Sequence, residues 1–354
     1  MLNFLHLTKD DLKQSLANLG EKSYRSRQLW QWIYKAGCFD FDMMSNISKS
    51  SMQQLKQKFF IKLPQISKEI KSSDGTIKFL IKFDDCREIE TVYIPEETRA
   101  TLCISSQVGC TLSCKFCHTG TQTLVRNLEF YEIVAQVILI KKYTITEKIK
   151  ELTNIVFMGM GEPFFNYDNV KKAVDILCDE EGLAFSRKKV TISTSGLVPE
   201  IKKSANEIRT NLAISLHATN NKLRSEIMAI NKKYPIDDLF RACKIYNQLN
   251  LREKITFEYV MLEGVNDAKE NALELVALIN KFNINAKVNL IPFNEWQGCD
   301  YNSSNIDNIK LFSQILKNNK IITTIRKNRG QDSMAACGQL KSLSKRMATW
   351  QHNR

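Results

Sequence analysis

The chain has 354 residues, 43% hydrophobic and 25% charged, enough for one large domain with an accessory one, and this composition excludes a disordered polyelectrolyte. Lys and Arg number 51 against 38 Asp and Glu, and the net charge of +13 favours a polyanionic partner such as nucleic acid. No apolar run approaches the ~20 residues a bilayer requires, and Lys9-Asp10-Asp11 comes too early for an export leader, so a cytoplasmic protein with no membrane partner is expected.

Residues 1–62 are predicted to form a helical RNA-binding accessory domain. Thr8 and Asp11 frame a capping box ahead of Leu12, Leu16 and Leu19. A second helix carries Arg25, Arg27, Trp30, Trp32 and Tyr34 and ends at Gly37. Its arginines beside tryptophans suit RNA, and they suit equally a core helix with a solvated face. Residues 63–97 hold a β-hairpin extension, with β-rich runs over 77–83 and 88–94 around Asp84-Asp85-Cys86-Arg87.

Over 98–325 strand and helix alternate. Strands are predicted at 101–105, 154–157, 190–194, 212–216, 256–261 and 287–291, and helices at 129–143, 168–178, 222–229, 236–249, 268–282 and 306–316. Such alternation is α/β, a parallel sheet with right-handed crossovers. Periodicity does not separate an open doubly wound sheet from a partial barrel, but strand parity does favour one. Thr101, Cys103 and Ser105 share a face, as do Thr191, Ser193 and Ser195, and again Ala213, Ser215 and His217. Leu102, Ile104, Ile192, Ile214 and Leu216 point the other way, so the sheet is polar inside and apolar toward its helices, as in a partial barrel around a ligand. Residues 326–354 form a basic C-terminal segment, with seven bases and Asp332 as the one acid.

Ten cysteines without an export signal are metal, redox or catalytic thiols rather than staples. Cys110, Cys114 and Cys117 follow the first barrel strand at Cys-x-x-x-Cys-x-x-Cys spacing. Soft sulfur donors suit zinc or an iron–sulfur cluster. Zinc would draw its fourth ligand from Cys103 or His118, whereas a cluster on three cysteines keeps one iron open. After the second strand, Gly159 and Gly161-Glu162 offer close backbone approach and a carboxylate for an ammonium. Cys337 stands alone among small residues between Gly330 and Gly338.

With Phe116 before its last cysteine, the triad resembles the signature of the radical S-adenosylmethionine (SAM) superfamily. The resemblance implies a partial (β/α)6 barrel and a [4Fe–4S] cluster on Cys110, Cys114 and Cys117. It also implies SAM on the open iron, cleaved to a 5′-deoxyadenosyl radical, with contacts from Gly161, Glu162, Ser193, Ser215, Leu216, His217 and Asn294. The runs 99–110 and 329–340, the latter around Met334-Ala335-Ala336-Cys337-Gly338, are similar to the RlmN family of RNA (adenine-C2) methyltransferases, and the likeness extends over essentially the whole chain. Gly161-Glu162-Pro163 matches that family rather than its sister Cfr, which methylates adenine C8.

Membership implies methylation of adenine 2503 in 23S rRNA and adenine 37 in tRNA by a monomer. It further implies two SAM per turnover and a flavodoxin- or ferredoxin-type electron donor. Adenine C2 is electron-poor, and the family's route first methylates a cysteine, here Cys337. Hydrogen abstraction from the S-methyl group and addition to C2 then join RNA to Cys337, Glu90 accepts the C2 proton, and Cys103 attacks the sulfur to leave a Cys103–Cys337 disulfide. Adenine-C8 methylation, a radical SAM reaction on a small molecule, and a zinc-stabilised, non-catalytic RNA-binding protein are the competing readings.

Overall fold

The computed structural model describes residues 1–250, 253–342 and 344. The head comes first, with helices α1 (Lys9–Ala17), α2 (Tyr24–Trp30) and α3 (Lys49–Lys58). The expected capping box starts α1: the Asp11 N–H donates to Thr8 Oγ1 at 3.2 Å and the Thr8 N–H to Asp11 Oδ2 at 3.0 Å. α2 continues through a wider turn, Gln31–Lys35, to Gly37 at φ +68°. That helix puts Trp30 in the core, while Arg25 is itself buried and both arginines are paired with acids. Trp30 is buried against Tyr34, with ring centroids 4.3 Å apart, while Arg25 pairs with Glu21 at 3.3 Å and Arg27 with Glu181 at 2.6 Å. Lys9 adds ion pairs to Asp179 (2.8 Å) and Glu181 (2.6 Å), which fasten the head to the α/β part of the chain.

Ten strands lie side by side in the order in which the chain makes them. β1 (Gln65–Lys71), β2 (Ile77–Lys82) and β3 (Glu88–Pro95) form an antiparallel meander, and β4 (Ala100–Cys103) pairs antiparallel with β3. Beyond it β5 (Asn154–Phe157), β6 (Val190–Thr194), β7 (Asn211–Ser215), β8 (Ile255–Met261), β9 (Ala286–Pro292) and β10 (Ile322–Ile325) each run parallel to their predecessor. Every parallel step needs a crossover. These are α4 (Phe130–Thr146), α5 (Tyr167–Leu177), α6 (Val198–Glu207), α7 (Asn221–Ile227) with α8 (Ile236–Leu249), α9 (Lys269–Phe282) and α10 (Ile306–Asn318). The sheet stays open, with β1 and β10 at its edges.

The six expected barrel strands are all present. A seventh, β10, follows α10. Neither β1 nor α6 was anticipated. Parity holds: Leu102, Ile104, Ile192, Ile214 and Leu216 are each at most 1% exposed, and burying each such side chain contributes about 1.5–3 kcal/mol. The opposite face lines a cavity through Ser193, Ser195, Ser215 and His217, but Thr101, Cys103 and Ser105 of the first barrel strand are not part of its wall. Among the described residues, no helix is long and apolar enough to cross a membrane.

Candidate active site

The three clustered cysteines occupy a loop that leaves the sheet after β4. A short antiparallel pairing of Gln107–Val108 with Arg126–Asn127 closes its neck. Within it the Cys117 N–H donates to Cys114 O at 3.1 Å and the Gly120 N–H to Cys117 O at 3.0 Å. The turn is so tight that a Cβ on Gly120 would stand 2.7 Å from Cys114 O. Cys110, Cys114 and Cys117 all line the same cavity, together with Phe116. Neither proposed fourth zinc ligand does so. His118 stacks on Trp296 at 4.7 Å and places Nδ1 3.2 Å from Gln339 O, and Cys103 is buried behind the cavity wall. Three soft donors on one wall fit a cluster that keeps an open iron.

Facing them is the turn after β5. Gly161, at φ +97°, packs so closely that a Cβ would come 2.5 Å from the Cβ of Gln107. This close approach sets Glu162 at the cavity wall. Its carboxylate accepts from the Ser195 N–H at 2.7 Å and the Phe164 N–H at 3.0 Å. Burial raises its pKa above the usual carboxylate range, and those two N–H groups oppose the rise. An incoming ammonium would complete its coordination.

Ser193, Ser215 and His217 reach the cavity from the ends of β6 and β7. His217 adopts φ +59°. Burial, helped by the charge of Arg224, pushes its pKa down to about 3, so the imidazole is neutral. Nδ1 accepts the Val260 N–H at 3.0 Å, which leaves the hydrogen on Nε2. Asn294 lines the cavity too, but its amide is already engaged, donating to Cys337 O at 3.2 Å and accepting from Gln331 at 3.1 Å. The Leu216 side chain is fully buried and is not part of the cavity wall, because alternation turns it outward between Ser215 and His217.

The C-terminal segment arches over this site and brings Cys337 and Gly338 into the wall. Two elements hold it. From the cluster loop, the His118 N–H donates to Gly338 O at 2.7 Å, and Gln122 reaches Ser342 Oγ at 3.1 Å and Ser344 O at 2.7 Å. From the meander, Asp332 accepts from the Ser73 N–H at 3.0 Å and Asp74 from the Gly330 N–H at 3.1 Å. Lys78 and Glu90 form a buried ion pair at 3.1 Å beneath it. Lys78 donates to Met334 O at 3.0 Å, and Glu90 accepts the Lys341 N–H at 2.9 Å. Desolvation raises the Glu90 pKa, and Lys78 works against it. Cys103 is desolvated as well, its thiol pushed up to about 12, with a charge on Cys337 raising it further and Arg326 lowering it.

Residues 104–276 match the radical SAM superfamily, and residues 2–61 match the ribosomal RNA large subunit methyltransferase N-terminal domain. A dual-specificity RNA methyltransferase RlmN of Ruegeria sp. (strain TM1040) is 47% identical, covering 98% of this chain and 90% of that protein. The one from Paracoccus denitrificans is 48% identical over 97% of this chain and 90% of its own. The chain belongs to the RlmN family. A crystal structure of a radical SAM methyltransferase from Sphaerobacter thermophilus superposes with a TM-score of 0.90 at 40% identity, covering 96% of this chain and 99% of that one. As a radical SAM enzyme of the RlmN family, the chain uses a [4Fe–4S] cluster and SAM.

Two cavity residues escaped the sequence reading. Glu258 faces inward from β8, and its Oε2 is buried without a hydrogen-bond partner. An acid flanked by Phe257 and Tyr259 in an otherwise apolar strand was the available signal. Arg326, counted among the surface charges of the basic segment, instead turns into the cavity wall, and Arg329 stands 3.8 Å from Asp74. The segment's charge is therefore partly internal. Its residues 343 and 345–354 lie outside the described chain.

Proposed function

We propose that this chain methylates C2 of adenine in RNA, at adenine 2503 of 23S rRNA and adenine 37 of tRNA, with Cys337 as methyl carrier, Glu90 as proton acceptor and Cys103 as resolving thiol. One observation carries the reading: Cys337, remote in sequence from the cluster loop, shares a cavity with Cys110, Cys114 and Cys117, and its charge is felt by the buried Cys103. The relatives' printed name, dual-specificity RNA methyltransferase, supports an RNA substrate.

In this reading Cys110, Cys114 and Cys117 hold the cluster, and Gly161, Glu162, Ser193, Ser215, Leu216, His217 and Asn294 receive SAM. The Cys337 thiolate first takes the methyl group of one SAM and leaves S-adenosylhomocysteine. When bound, the cluster and a second SAM supply the 5′-deoxyadenosyl radical that removes a hydrogen atom from the S-methyl group. The carbon on Cys337 then bonds to C2. A flavodoxin- or ferredoxin-type donor would supply the one electron that this SAM cleavage consumes, the cluster oxidised by it would take back the one electron the adduct radical loses, and the C2 proton goes to Glu90. Attack of Cys103 on the Cys337 sulfur forms the S–S bond as the S–C bond breaks, the electron pair goes to carbon, and a proton from water completes the methyl group. Nucleoside mass spectrometry of rRNA and tRNA from cells lacking the gene, with and without this enzyme restored, tests it. 2-Methyladenosine in both fractions is expected; 8-methyladenosine, or no methylated adenosine, overturns it.

A further inference from the structure

Arg224 is fully buried, yet among the described residues no carboxylate pairs with it. A charge this deep is costly unless another charge or dense hydrogen bonding compensates it. The hydrogen bonds are there: Nη2 donates to Ser195 O at 2.6 Å and Ser215 O at 3.0 Å, Nε to Leu216 O at 3.1 Å and Nη1 to Asn231 Oδ1 at 3.1 Å. All four acceptors are neutral, so the positive charge itself stays unbalanced in the protein alone.

Its position indicates where the balance comes from. Arg224 belongs to α7, and the last residue of that helix, Ile227, accepts the N–H of Lys115, the neighbour of Cys114, at 3.1 Å. Met228, next along, lines the cavity with the three cysteines. A cysteine that binds iron does so as its thiolate, so Cys114, beside this hydrogen bond, is where negative charge arises when the cluster is held. Three thiolates outweigh the charge of the iron–sulfur core they hold, and the electron that reduces it makes the assembly more negative still.

We propose that Arg224 is the built-in counter-charge of the cluster, a positioning residue that stabilises its reduced state while its guanidinium ties the ends of β6 and β7 together. This rests on Cys110, Cys114 and Cys117 being the cluster ligands. Arg224 touches neither substrate nor reacting atoms. It acts through charge across a low-dielectric gap, where such effects exceed those in water.

The test is a redox titration of the reconstituted full-length enzyme, followed by the electron paramagnetic resonance signal of the reduced cluster. Two variants remove the net charge in different ways. Arg224→Gln deletes it. Asn231→Asp is nearly isosteric and sets a carboxylate against the guanidinium while keeping its hydrogen bond. Each is expected to lower the reduced-to-oxidised ratio at the wild-type midpoint roughly tenfold, a shift of about 59 mV to more negative potential for one electron. Arg224→Lys keeps the charge and should keep the midpoint within a small fraction of that shift, although it loses part of the strand clamp.

A midpoint in Asn231→Asp equal to wild type, with full iron content, overturns the proposal, and that variant decides the matter if Arg224→Gln yields no soluble protein. Failure of the ligand assignment would look different: the wild-type protein itself would then hold no four-iron cluster.

Discussion

Glu90 and Lys78 share one of the few buried ion pairs in the molecule, and the catalytic assignment of Glu90 depends on their balance. Burial lifts the carboxyl pKa, while the ammonium and the Lys341 N–H hold it down. Lys78→Met removes the larger opposing influence, so the Glu90 pKa climbs further. Because the proton acceptor works deprotonated, the acidic limb of the pH–rate profile should move to higher pH. Stability should follow the same group: a carboxyl with its folded pKa raised favours folding at low pH and loses that benefit as pH rises through the folded pKa. Denaturant titration of Lys78→Met should thus give an unfolding free energy that falls with rising pH, by about 3 kcal/mol or more once Glu90 is left charged and alone. The Cys110, Cys114 and Cys117 triad was legible because its spacing is local. Lys78 and Arg326 were not, since their roles arise from residues far away in sequence; Arg224 looks like any helix-surface base in its own stretch, and Glu258 left only its apolar flanks as a signal.

Among elements, the C-terminal segment has the most to gain from motion. Asp332, at the surface, fastens it to Ser72 and Ser73 at the β1–β2 turn, and these hydrogen bonds hold its carboxyl below the usual range. Asp332→Ala should loosen the arch, raising the rate at which Cys337 in the apoprotein reacts with iodoacetamide severalfold while Cys103, packed beneath, stays slow; equal rates in variant and wild type would show that the anchor does not restrain the segment. Strands β4 to β9 were legible from their alternation with helical patterns, and in β4, β6 and β7 parity added a polar face to an apolar one. The missed elements lack that contrast. β1 reads Gln-Ile-Ser-Lys-Glu-Ile-Lys, an exposed edge, and α6, with Pro199 in its first turn, offers only Val198, Ile201 and Ala205 as buried apolar residues. β10 is short and half exposed, and its pairing with β9 gives it its place in the sheet.

At the scale of the whole molecule, the excess of +13 is not spread evenly outside. Burial raises the Cys337 thiol pKa; Arg326, which lines the same cavity, opposes that rise and Glu258 adds to it. Arg326→Gln is therefore expected to slow methylation of Cys337 and shift that step to higher pH, with RNA affinity and its salt slope unchanged; a flatter salt slope would return Arg326 to the RNA-facing charges. The barrel, the cluster loop and the C-terminal arch converge so that two lone thiols meet one reaction path, and this is the claim on which the account stands. It is tested most directly by trapping. With RNA substrate, SAM and reductant, Cys103→Ala should accumulate a covalent protein–RNA species at Cys337, detected by mass spectrometry after nuclease digestion. Cys337→Ala and the double variant should form none, since both thiols act in sequence on one intermediate. Normal turnover by Cys103→Ala without any adduct would contradict the account.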